Sequence, residues 1–185
     1  MKTITLITSN INKVREFKAI LEPEVKVEHT HIEYEETRSD DPEQIATHSA
    51  QMLAERLRKA VVVEDSGLFI TALNGFPGTC SAYIHKRIGL NGILKLMEGK
   101  DDRQCFYKSA VAYCEPGEDA VSFLGKEEGI ISQHELGRNG FGHDSIFVPL
   151  EDNPDRQTYA EMQDCDVHKK FRRRAVEQLM IYLEK

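Results

Sequence analysis

The sequence predicts an α/β fold with a mixed β-sheet in one domain that spans residues 1–185. Short β-branched segments alternate with amphipathic helical segments in the first half of the chain. Two long strand-like segments around a turn follow in the second half. No linker and no internal repeat separates these segments, and 185 residues of which 40% are hydrophobic can bury one sizeable core.

The first half of the chain is predicted to alternate strands and helices. Val14, Phe17 and Leu21 recur at helical spacing, and Pro23 ends the helix that carries them. Asp41-Pro42 has the residue types favoured at the N-cap and the first position of a helix. The predicted elements are strands at 3–8, 25–29 and 60–63 and helices at 12–21 and 41–59, with 68–70 left open as a further strand.

The second half is predicted to contain a short helix, a hairpin and a final helix. Gly99 closes the short helix, and Glu115-Pro116-Gly117 forms the turn of the hairpin. The predicted elements are a helix at 89–97, strands at 104–114, 120–131 and 146–148, and a helix at 167–184. The residues predicted to face the core from the last helix are Phe171, Ala175, Leu179 and Tyr182.

Composition and charge exclude several classes of protein. The net charge is −7, and general nucleic-acid binding is not expected, because duplex affinity comes mainly from lysine and arginine on phosphates. No apolar run approaches the ~20 residues that span a membrane, and the N-terminal segment lacks a signal-peptide pattern. The four cysteines are scattered without a CxxC pair, which argues against a zinc or redox motif. We therefore expect a cytoplasmic protein.

The first candidate site is the segment Thr8-Ser9-Asn10-Ile11-Asn12-Lys13, where a strand ends and a helix begins. Backbone N–H groups and the dipole at a helix N-terminus attract anions, and Lys13 can reach a phosphate as a point charge. An ordinary turn with an asparagine N-cap and a surface lysine explains the same residues. The sequence has neither a GxxxxGK[ST] P-loop nor a GxGxxG motif after a strand.

Two acidic segments are candidates for a metal site. Glu64-Asp65-Ser66-Gly67 follows an apolar run, and two adjacent carboxylates at the end of a buried strand are costly without a partner. Mg²⁺ is the usual partner, because it binds through one or two carboxylates and substrate phosphates. The alternative is a polar strand end with a glycine turn. Glu36 becomes a ligand only if it meets Asp65 in space, and otherwise belongs to a solvated acidic face.

Two further segments are candidates for nucleotide binding. Gly140-Phe141-Gly142-His143-Asp144 places glycines around an aromatic ring, so Phe141 could stack on a base and Asp144 could accept from a purine N–H. A tight turn with Phe141 in the core is the alternative. The basic cluster 168–174, HKKFRRR, could hold a triphosphate or a base carbonyl, or could be solvated charge at the start of a helix.

Taken in order, these motifs resemble the Ham1 family of inosine and xanthosine triphosphate pyrophosphatases. The segment TSNINK at 8–13 is similar to the T-G-N-x-x-K opening of that family. VVVEDSGLFITALNGFPGTCSAY at 61–83 resembles its longest signature. FGHDSIF at 141–147 is similar to its F-G-Y-D-P-x-F, and TYAEM at 158–162 to its F-A-E-M. The similarity spans nearly the whole chain.

The resemblance implies a single two-lobed domain with a long central mixed sheet flanked by helices, an active-site cleft between the lobes, and a homodimer. It implies one or more Mg²⁺ ions per subunit and the substrates ITP, dITP and XTP. By this resemblance Glu36 and Asp65 bind the metal, Asp65 is also the general base, and Lys13 is catalytic. The residues implied to bind the substrate are Thr8, Ser9, Asn10, Ile11, Asn12, Lys13 and Ser66 for the triphosphate, and Phe141, Gly142, His143 and Asp144 for the base.

Three departures from the family motifs affect this expected site. Ser9 stands in place of a glycine, and His143 in place of a tyrosine. The family's S-H-R at the start of the last helix is absent: Arg172 matches its arginine, and its histidine is missing. His168 or Lys169, about one helical turn earlier, is the expected substitute in base recognition.

The sequence therefore predicts a metal-dependent pyrophosphohydrolase that acts on non-standard purine nucleoside triphosphates. Water attacks the α-phosphorus and pyrophosphate leaves, with Asp65 as the base and with Lys13 and Arg172 neutralising developing charge. Two alternatives stay open. One is a related pyrophosphatase acting on modified pyrimidine or 7-methylguanine nucleotides, and the other is a non-catalytic nucleotide- or RNA-binding module that uses the basic cluster.

Overall fold

The structure is a computed structural model that describes residues 2–184, apart from the side chain of Val167. Met1 and Lys185, the ends of the expected domain, lie outside the described residues. The strands are β1 (Thr3–Ile7), β2 (Lys26–Thr30), β3 (Val61–Ile70), β4 (Pro77–Gly78), β5 (Gln104–Cys114), β6 (Val121–Ile131) and β7 (Phe147–Pro149). The α-helices are α1 (Ile11–Leu21), α2 (Pro42–Leu57), α3 (Ser81–Leu96), α4 (Cys165–His168) and α5 (Lys170–Leu183). Among the described helices, none has the length and apolar character needed to cross a membrane.

The strands form one mixed seven-stranded sheet, which confirms the predicted α/β class. The order along the sheet is β2-β1-β3-β5-β6-β7, and β4 pairs with β3. Strand β1 runs parallel to both of its neighbours, β2 and β3, whereas β4 and β7 run antiparallel to β3 and β6. Strand β1 ends at Ile7, which pairs with Val63 in the middle of the longer strand β3. The turn that follows Ile7 therefore begins beside the acidic residues that follow Val63.

The chain divides into two compact units. The first unit contains the residues up to Asp65, Ser109–Gly125 and the residues from Phe171 onward. The second unit contains Ser66–Lys108 and Lys126–Lys170. Each of the long strands β3, β5 and β6 contributes residues to both units.

The first unit has two hydrophobic clusters on opposite faces of its strands. Ile4 and Leu6 of β1 belong to one cluster and Ile7 to the other, as the two-residue period of a strand requires. Helices α1 and α5 contribute to the first cluster, and α2 contributes to the second. The residues contributed by the helices are Val14, Phe17, Leu21, Ala175, Val176, Leu179 and Leu183 to the first cluster, and Ala46, Ala50, Leu53 and Ala54 to the second.

Strand β3 is longer than the sequence predicts. It runs without interruption from Val61 to Ile70, so Glu64-Asp65-Ser66-Gly67 lies inside the strand, and the predicted strand end at Glu64 is wrong. Gly67 allows the backbone of Gly78 to approach closely, since a Cβ on Gly67 would lie 2.1 Å from the carbonyl oxygen of Gly78. Adjacent Leu68 pairs with Gly78 of β4, which continues the strand beyond the acidic residues.

Two helices also differ from the prediction. Helix α3 begins at Ser81, and a kink at Gly89, with φ of 63°, separates a first helical stretch that the sequence did not predict from the predicted second one. The predicted helix 167–184 is broken at Lys169 into α4 and α5. Phe171 is buried as predicted, whereas Tyr182 is 38% exposed and Leu183 takes the buried position instead.

The contact between β6 and α5 requires glycine at position 125. A Cβ on Gly125 would lie 1.8 Å from the carbonyl oxygen of Phe171, which is helix backbone and cannot rotate away. We expect Gly125→Ala to lower the free energy of unfolding by about 1–3 kcal/mol, because overpacking displaces the helix. Urea unfolding followed by circular dichroism measures this change.

Leu124→Ala is the control for this substitution, since Leu124 is 39% exposed in the same strand. We expect that variant to stay within about 0.5 kcal/mol of the parent chain. An unchanged unfolding midpoint for Gly125→Ala would contradict the close packing of α5 on β6.

Candidate active site

The turn between β1 and α1 is held by its own side chains. Asn10 is the N-cap of α1, and its side-chain oxygen accepts a hydrogen bond from the Asn12 backbone N–H at 2.9 Å. The Thr8 hydroxyl oxygen accepts from the Asn10 N–H at 3.1 Å, and the His29 ring contacts the Thr8 carbonyl oxygen at 2.9 Å. Ser9 has no positive φ, so it replaces the family's glycine without backbone strain. The turn is therefore a preformed helix N-terminus of the kind that binds anions.

Lys13 lies in the first turn of α1 and is paired with the buried strand β3. Its ammonium nitrogen lies 2.6 Å from Glu64 Oε2 and donates to the Glu64 backbone carbonyl at 3.2 Å. The Lys13 side chain is 18% exposed, whereas the Glu64 side chain is 1% exposed. Lys13 thus connects a buried carboxylate to the solvent side of the turn.

Glu64 is the centre of a buried network of charges. Its Oε1 atom accepts from the Ser109 hydroxyl at 2.6 Å and from Arg172 Nε at 3.1 Å. Arg172 also donates from Nη1 to Glu16 Oε2. Burial alone would raise the pKa of Glu64, but the charges of Arg172 and Lys13 outweigh it and hold this pKa at about 2. Glu64 is therefore ionised at neutral pH.

Arg172 lies in the interior of the first unit, with its side chain 3% exposed. Burial acts to lower its pKa, while Glu64 and Glu16 act to raise it and have the larger effect, so the guanidinium is charged. The sequence predicts Arg172 as a substrate contact, and in the structure its charge is paired with two buried carboxylates. Glu16 and Ser109 are members of this network that the sequence does not predict. The available signal for Glu16 was a carboxylate between Val14 and Phe17 on the buried face of α1.

Glu36 and Asp65 both act on the hydroxyl of Tyr34. Tyr34 donates from its hydroxyl to Glu36 Oε1 at 3.2 Å. Burial raises the pKa of Tyr34 to about 12, and the negative charges of Glu36 and Asp65 act in the same direction. Two carboxylates that are far apart in sequence therefore both act on the Tyr34 hydroxyl.

The chemistry of these two side chains fits a hard divalent cation. Carboxylate oxygens are the ligands that Mg²⁺ prefers, and one or two of them are sufficient when substrate phosphates complete the coordination. Within residues 2–184, no group of three or more His, Cys, Asp or Glu side chains is arranged as a metal site. Glu36 and Asp65 can thus provide the protein's share of a site that also needs the substrate.

In the second unit, Phe141 begins a tight turn that Asp144 stabilises. The Asp144 carboxylate accepts from the Phe141 backbone N–H at 2.7 Å. Gly140 has φ of +75°, and a Cβ on it would lie 2.2 Å from Asp144 Oδ2. Gly142 also has a positive φ, of +64°. The glycines around Phe141 are therefore required by the turn itself.

Lys169 connects this turn to the break between α4 and α5. Its ammonium nitrogen lies 2.9 Å from Asp144 Oδ2 and 2.9 Å from Asp166 Oδ1. It also lies 4.1 Å from the centre of the Phe141 ring, within the range of a cation–π contact. His168 is exposed, whereas the Lys169 side chain is 1% exposed. Of the two expected substitutes for the missing histidine, Lys169 is the one beside Phe141.

His143 is buried in the same turn and packs edge-on against His85 of α3, with ring centres 5.2 Å apart. Burial lowers the pKa of His143 to about 4, and His85 acts in the same direction. The His143 ring is therefore neutral at pH 7 and offers one donor and one acceptor nitrogen.

The basic cluster 168–174 is largely neutralised by acidic side chains. Its paired members alternate between the interior and the surface, so their charges do not combine into one basic patch. The pairs are Lys169 with Asp144 and Asp166, Lys170 with Glu151 and Asp152, Arg172 with Glu16 and Glu64, and Arg173 with Glu177.

Residues 4–182 match the family model described as the Ham1 family. The chain belongs to the Ham1 family. It is 47% identical over 156 residues to a dITP/XTP pyrophosphatase of Methanopyrus kandleri, covering 84% of this chain and 81% of the relative. It is 39% identical over 182 residues to a dITP/XTP pyrophosphatase of Methanosarcina acetivorans, covering 97% of this chain and 96% of the relative.

Solved structures of Ham1 proteins share the fold. The Staphylococcus aureus Ham1 protein has a TM-score of 0.84 at 28% identity, covering 99% of this chain and 98% of that one. A HAM1 protein of Coxiella burnetii has a TM-score of 0.86 at 27% identity, covering 100% and 99%. The resemblance seen in the sequence motifs is therefore confirmed along the length of the chain.

In this Ham1 chain, Glu64 is expected to make the stability depend on acid pH. Its pKa is lower in the folded chain than the ordinary value of 4.5, so its stabilising effect is complete above pH 4.5 and is lost as the pH falls towards 2. We expect the free energy of unfolding to fall less steeply over this range in Glu64→Gln than in the parent chain. Urea unfolding at a series of pH values measures the two slopes.

Glu22→Gln is the control for this pH series. Glu22 lies at the surface next to α1 and is 3.9 Å from Lys18. We expect that variant to keep the parental slope, because exposed pairs contribute little to stability. Equal slopes for Glu64→Gln and the parent chain would mean that Glu64 is not held ionised by its neighbours.

Proposed function

We propose that this chain hydrolyses the non-standard purine nucleoside triphosphates ITP, dITP and XTP to the nucleoside monophosphate and pyrophosphate. Membership of the Ham1 family supports this activity, as do relatives named dITP/XTP pyrophosphatase at 47% and 39% identity. The observation that carries the proposal is the combination of a helix N-terminus bearing Lys13 with two carboxylates, Glu36 and Asp65, that both act on the Tyr34 hydroxyl.

The phosphates of the substrate bind at the turn Thr8–Lys13, with Ser66 next to Asp65 as a further contact. Backbone N–H groups and the helix dipole attract the phosphates, and the Lys13 ammonium adds a positive charge. Asp65 orients the attacking water and accepts its proton, as a positioned carboxylate can do. The water attacks the α-phosphorus opposite the leaving pyrophosphate, and catalysis depends mainly on positioning and charge neutralisation.

Glu36 and Asp65 bind one or more Mg²⁺ ions in each subunit. When bound, the ion supplies charge neutralisation for the phosphates and a water of lowered pKa. Both carboxylates act on the Tyr34 hydroxyl, and this supports their assignment to one metal site. We propose three further properties of this chain: a single domain over residues 1–185, assembly as a homodimer, and a location in the cytoplasm, where nucleoside triphosphates are used.

The turn Phe141–Asp144 and Lys169 bind the purine base. Phe141 provides a flat ring for stacking, and neutral His143 provides one donor and one acceptor. Lys169 donates to the 6-oxo group of inosine or xanthine in place of the missing family histidine, while Asp144 keeps the lysine in position. Adenine has an amino group at position 6, so the buried Lys169 ammonium would face a second hydrogen-bond donor, which is strongly unfavourable.

Neutralisation of the basic cluster argues against an RNA-binding module. Affinity for a nucleic acid backbone grows with the number of lysine and arginine side chains that reach phosphates. Arg172 and Lys169 are buried among carboxylates, and Lys170 is paired with Glu151. These side chains do not form a free basic surface.

A turnover panel tests the proposed activity. We expect pyrophosphate release from ITP and XTP to exceed that from ATP by about 10²-fold or more in kcat/KM, and to require Mg²⁺. The panel contains ITP, XTP, dUTP, 7-methyl-GTP and the four standard triphosphates, each with Mg²⁺ and with EDTA. Faster release from dUTP or 7-methyl-GTP would favour the related pyrophosphatases, and no release at all would favour a non-catalytic module.

Variants of the two carboxylates accompany this panel. Asp65→Asn and Glu36→Gln are expected to lower kcat by about 10²-fold or more, because a base or a metal ligand is lost. We expect the melting temperature of both variants to equal that of the parent chain. Glu35→Gln, in the same acidic segment as Glu36, is expected to keep the parental rate. Near-parental turnover by Asp65→Asn would show that another group is the base.

The role of Lys169 is tested by selectivity. We expect Lys169→Met to lower the ratio of kcat/KM for ITP to that for ATP by about tenfold or more, because the donor to the 6-oxo group is lost. This ratio does not depend on the fraction of folded protein, so a loss of stability caused by breaking the buried ion pairs does not change it. Lys170→Met is the matched control, since Lys170 pairs at the surface with Glu151 and Asp152. An unchanged ratio in Lys169→Met would remove Lys169 from base recognition.

A further inference from the structure

We propose that His85 and His143 form a second metal site, which binds one divalent transition-metal ion such as Zn²⁺. The site uses different residues from Glu36 and Asp65, the carboxylates that the proposed function assigns to Mg²⁺. It lies in the second unit, where the first stretch of helix α3 meets the turn Phe141–Asp144. The inference does not depend on the hydrolytic activity.

The first step is the state of the two imidazole rings. His143 is 3% exposed, and His85 is partly buried. Nδ1 of His85 and Nε2 of His143 are both buried, and neither has a hydrogen-bond partner within the part of the chain that the structure describes. Such an atom indicates a water or an ion beside it, because an unsatisfied polar group is costly in the interior. Two such atoms on neighbouring rings can share one occupant.

The second step is the separation of the rings. Their centres lie 5.2 Å apart, and the ring planes make an angle of 67°. A nitrogen lies about 1 Å from the centre of its ring and binds zinc at about 2.0–2.1 Å, so two rings on one tetrahedral ion have centres about 5 Å apart. The rings therefore stand at the spacing that one ion requires. The last torsion of a histidine side chain is broad, so a small rotation of either ring directs its nitrogen at the ion.

The third step is the chemistry of the donors. Neutral imidazole suits Zn²⁺ and the neighbouring transition metals, whereas Mg²⁺ prefers oxygen ligands. Burial lowers the pKa of His143 to about 4, so this ring can bind an ion at neutral pH without first losing a proton. The Ham1 motif has a tyrosine at the position of His143, so the proposed site is a property of this chain and not of the family motif.

The fourth step is the number of ligands. Across residues 2–184, no third His, Cys, Asp or Glu side chain completes a metal-binding group with this pair. The ion therefore has two protein ligands, and water fills its other positions, so it can exchange with solvent. A bound ion links helix α3 to the turn Phe141–Asp144. It occupies one nitrogen of His143 and leaves the other for the proposed contact with the base.

Calorimetric titration of the full chain with Zn²⁺ tests the site. The buffer contains millimolar Mg²⁺, which competes for carboxylates and not for imidazole. The variants are His85→Ala, which removes one ligand, and His143→Tyr, which introduces the residue of the family motif. His134→Ala is the matched control, since His134 is an exposed histidine of the same unit.

We expect one Zn²⁺ ion to bind to each parent chain in the presence of Mg²⁺. Binding is expected to weaken by about 100-fold or more in His85→Ala and in His143→Tyr, since even the loss of a group that only orients a ligand costs about tenfold to 100-fold. His134→Ala keeps the parental dissociation constant. Zn²⁺ also raises the melting temperature of the parent chain and not that of the two ligand variants, because an ion that binds only the folded chain stabilises it.

Three results would overturn the proposal. Parental Zn²⁺ affinity in both His85→Ala and His143→Tyr means that the ion binds elsewhere on the chain. Absence of Zn²⁺ binding to the parent chain means that the two unpaired nitrogens are satisfied by buried water. Displacement of Zn²⁺ by the Mg²⁺ in the buffer means that carboxylates and not imidazoles hold the ion.

Circular dichroism and melting without added metal show whether each variant folds. If His143→Tyr does not fold, His85→Ala decides the question, because alanine suits a partly buried position in a helix. Turnover of ITP is measured separately. A parent chain that binds Zn²⁺ through both histidines without hydrolysing ITP would keep this site and lose the proposed function, so the two failures are distinguishable.

Discussion

The ionised carboxylate of Glu64 is the constraint on which the rest of the first unit depends. A charge in the middle of a buried strand is unfavourable unless cations and hydrogen-bond donors surround it. Strand β5 supplies Ser109, helix α1 supplies Lys13, and helix α5 supplies Arg172. Removing any one of them would leave the carboxylate incompletely paired, so these elements are fixed around it. Close packing of α5 at Gly125 of the neighbouring strand then brings Arg172 into reach.

Local features of the fold could be predicted from the sequence because they depend on neighbouring residues. The buried stripe of α1 follows from helical periodicity, and the start of α2 follows from Asp41 as its N-cap. The extent of β3 could not be predicted, because it depends on pairing with β4 and on the approach of Gly78 to Gly67. Glycine after two acidic residues suggests a turn when only the sequence is known, whereas here it makes room for another backbone.

In the candidate site, too, some features depend on neighbouring residues and others on residues that are far apart in sequence. The turn between β1 and α1 is a local strand-to-helix junction, so its sequence was sufficient to find it. Arg172 is separated from Glu64 by 108 residues and from Glu16 by 156, and no local pattern connects them. The run of basic residues left open a ligand-binding element or solvated charge, whereas the fold distributes its members between the interior and separate surface pairs.

The burial of Arg172 has a consequence for the family motif that it matches. Arg172 is paired with Glu16 and Glu64, and loss of either carboxylate would leave a buried charge uncompensated, which is strongly destabilising. Under the proposed function, base recognition involves the second unit, where the Lys169 ammonium lies 2.9 Å from Asp144 and 4.1 Å from the centre of the Phe141 ring. The lysine before the last helix then takes the place of the family's missing histidine, while the arginine that matches the motif is fixed by its two carboxylates.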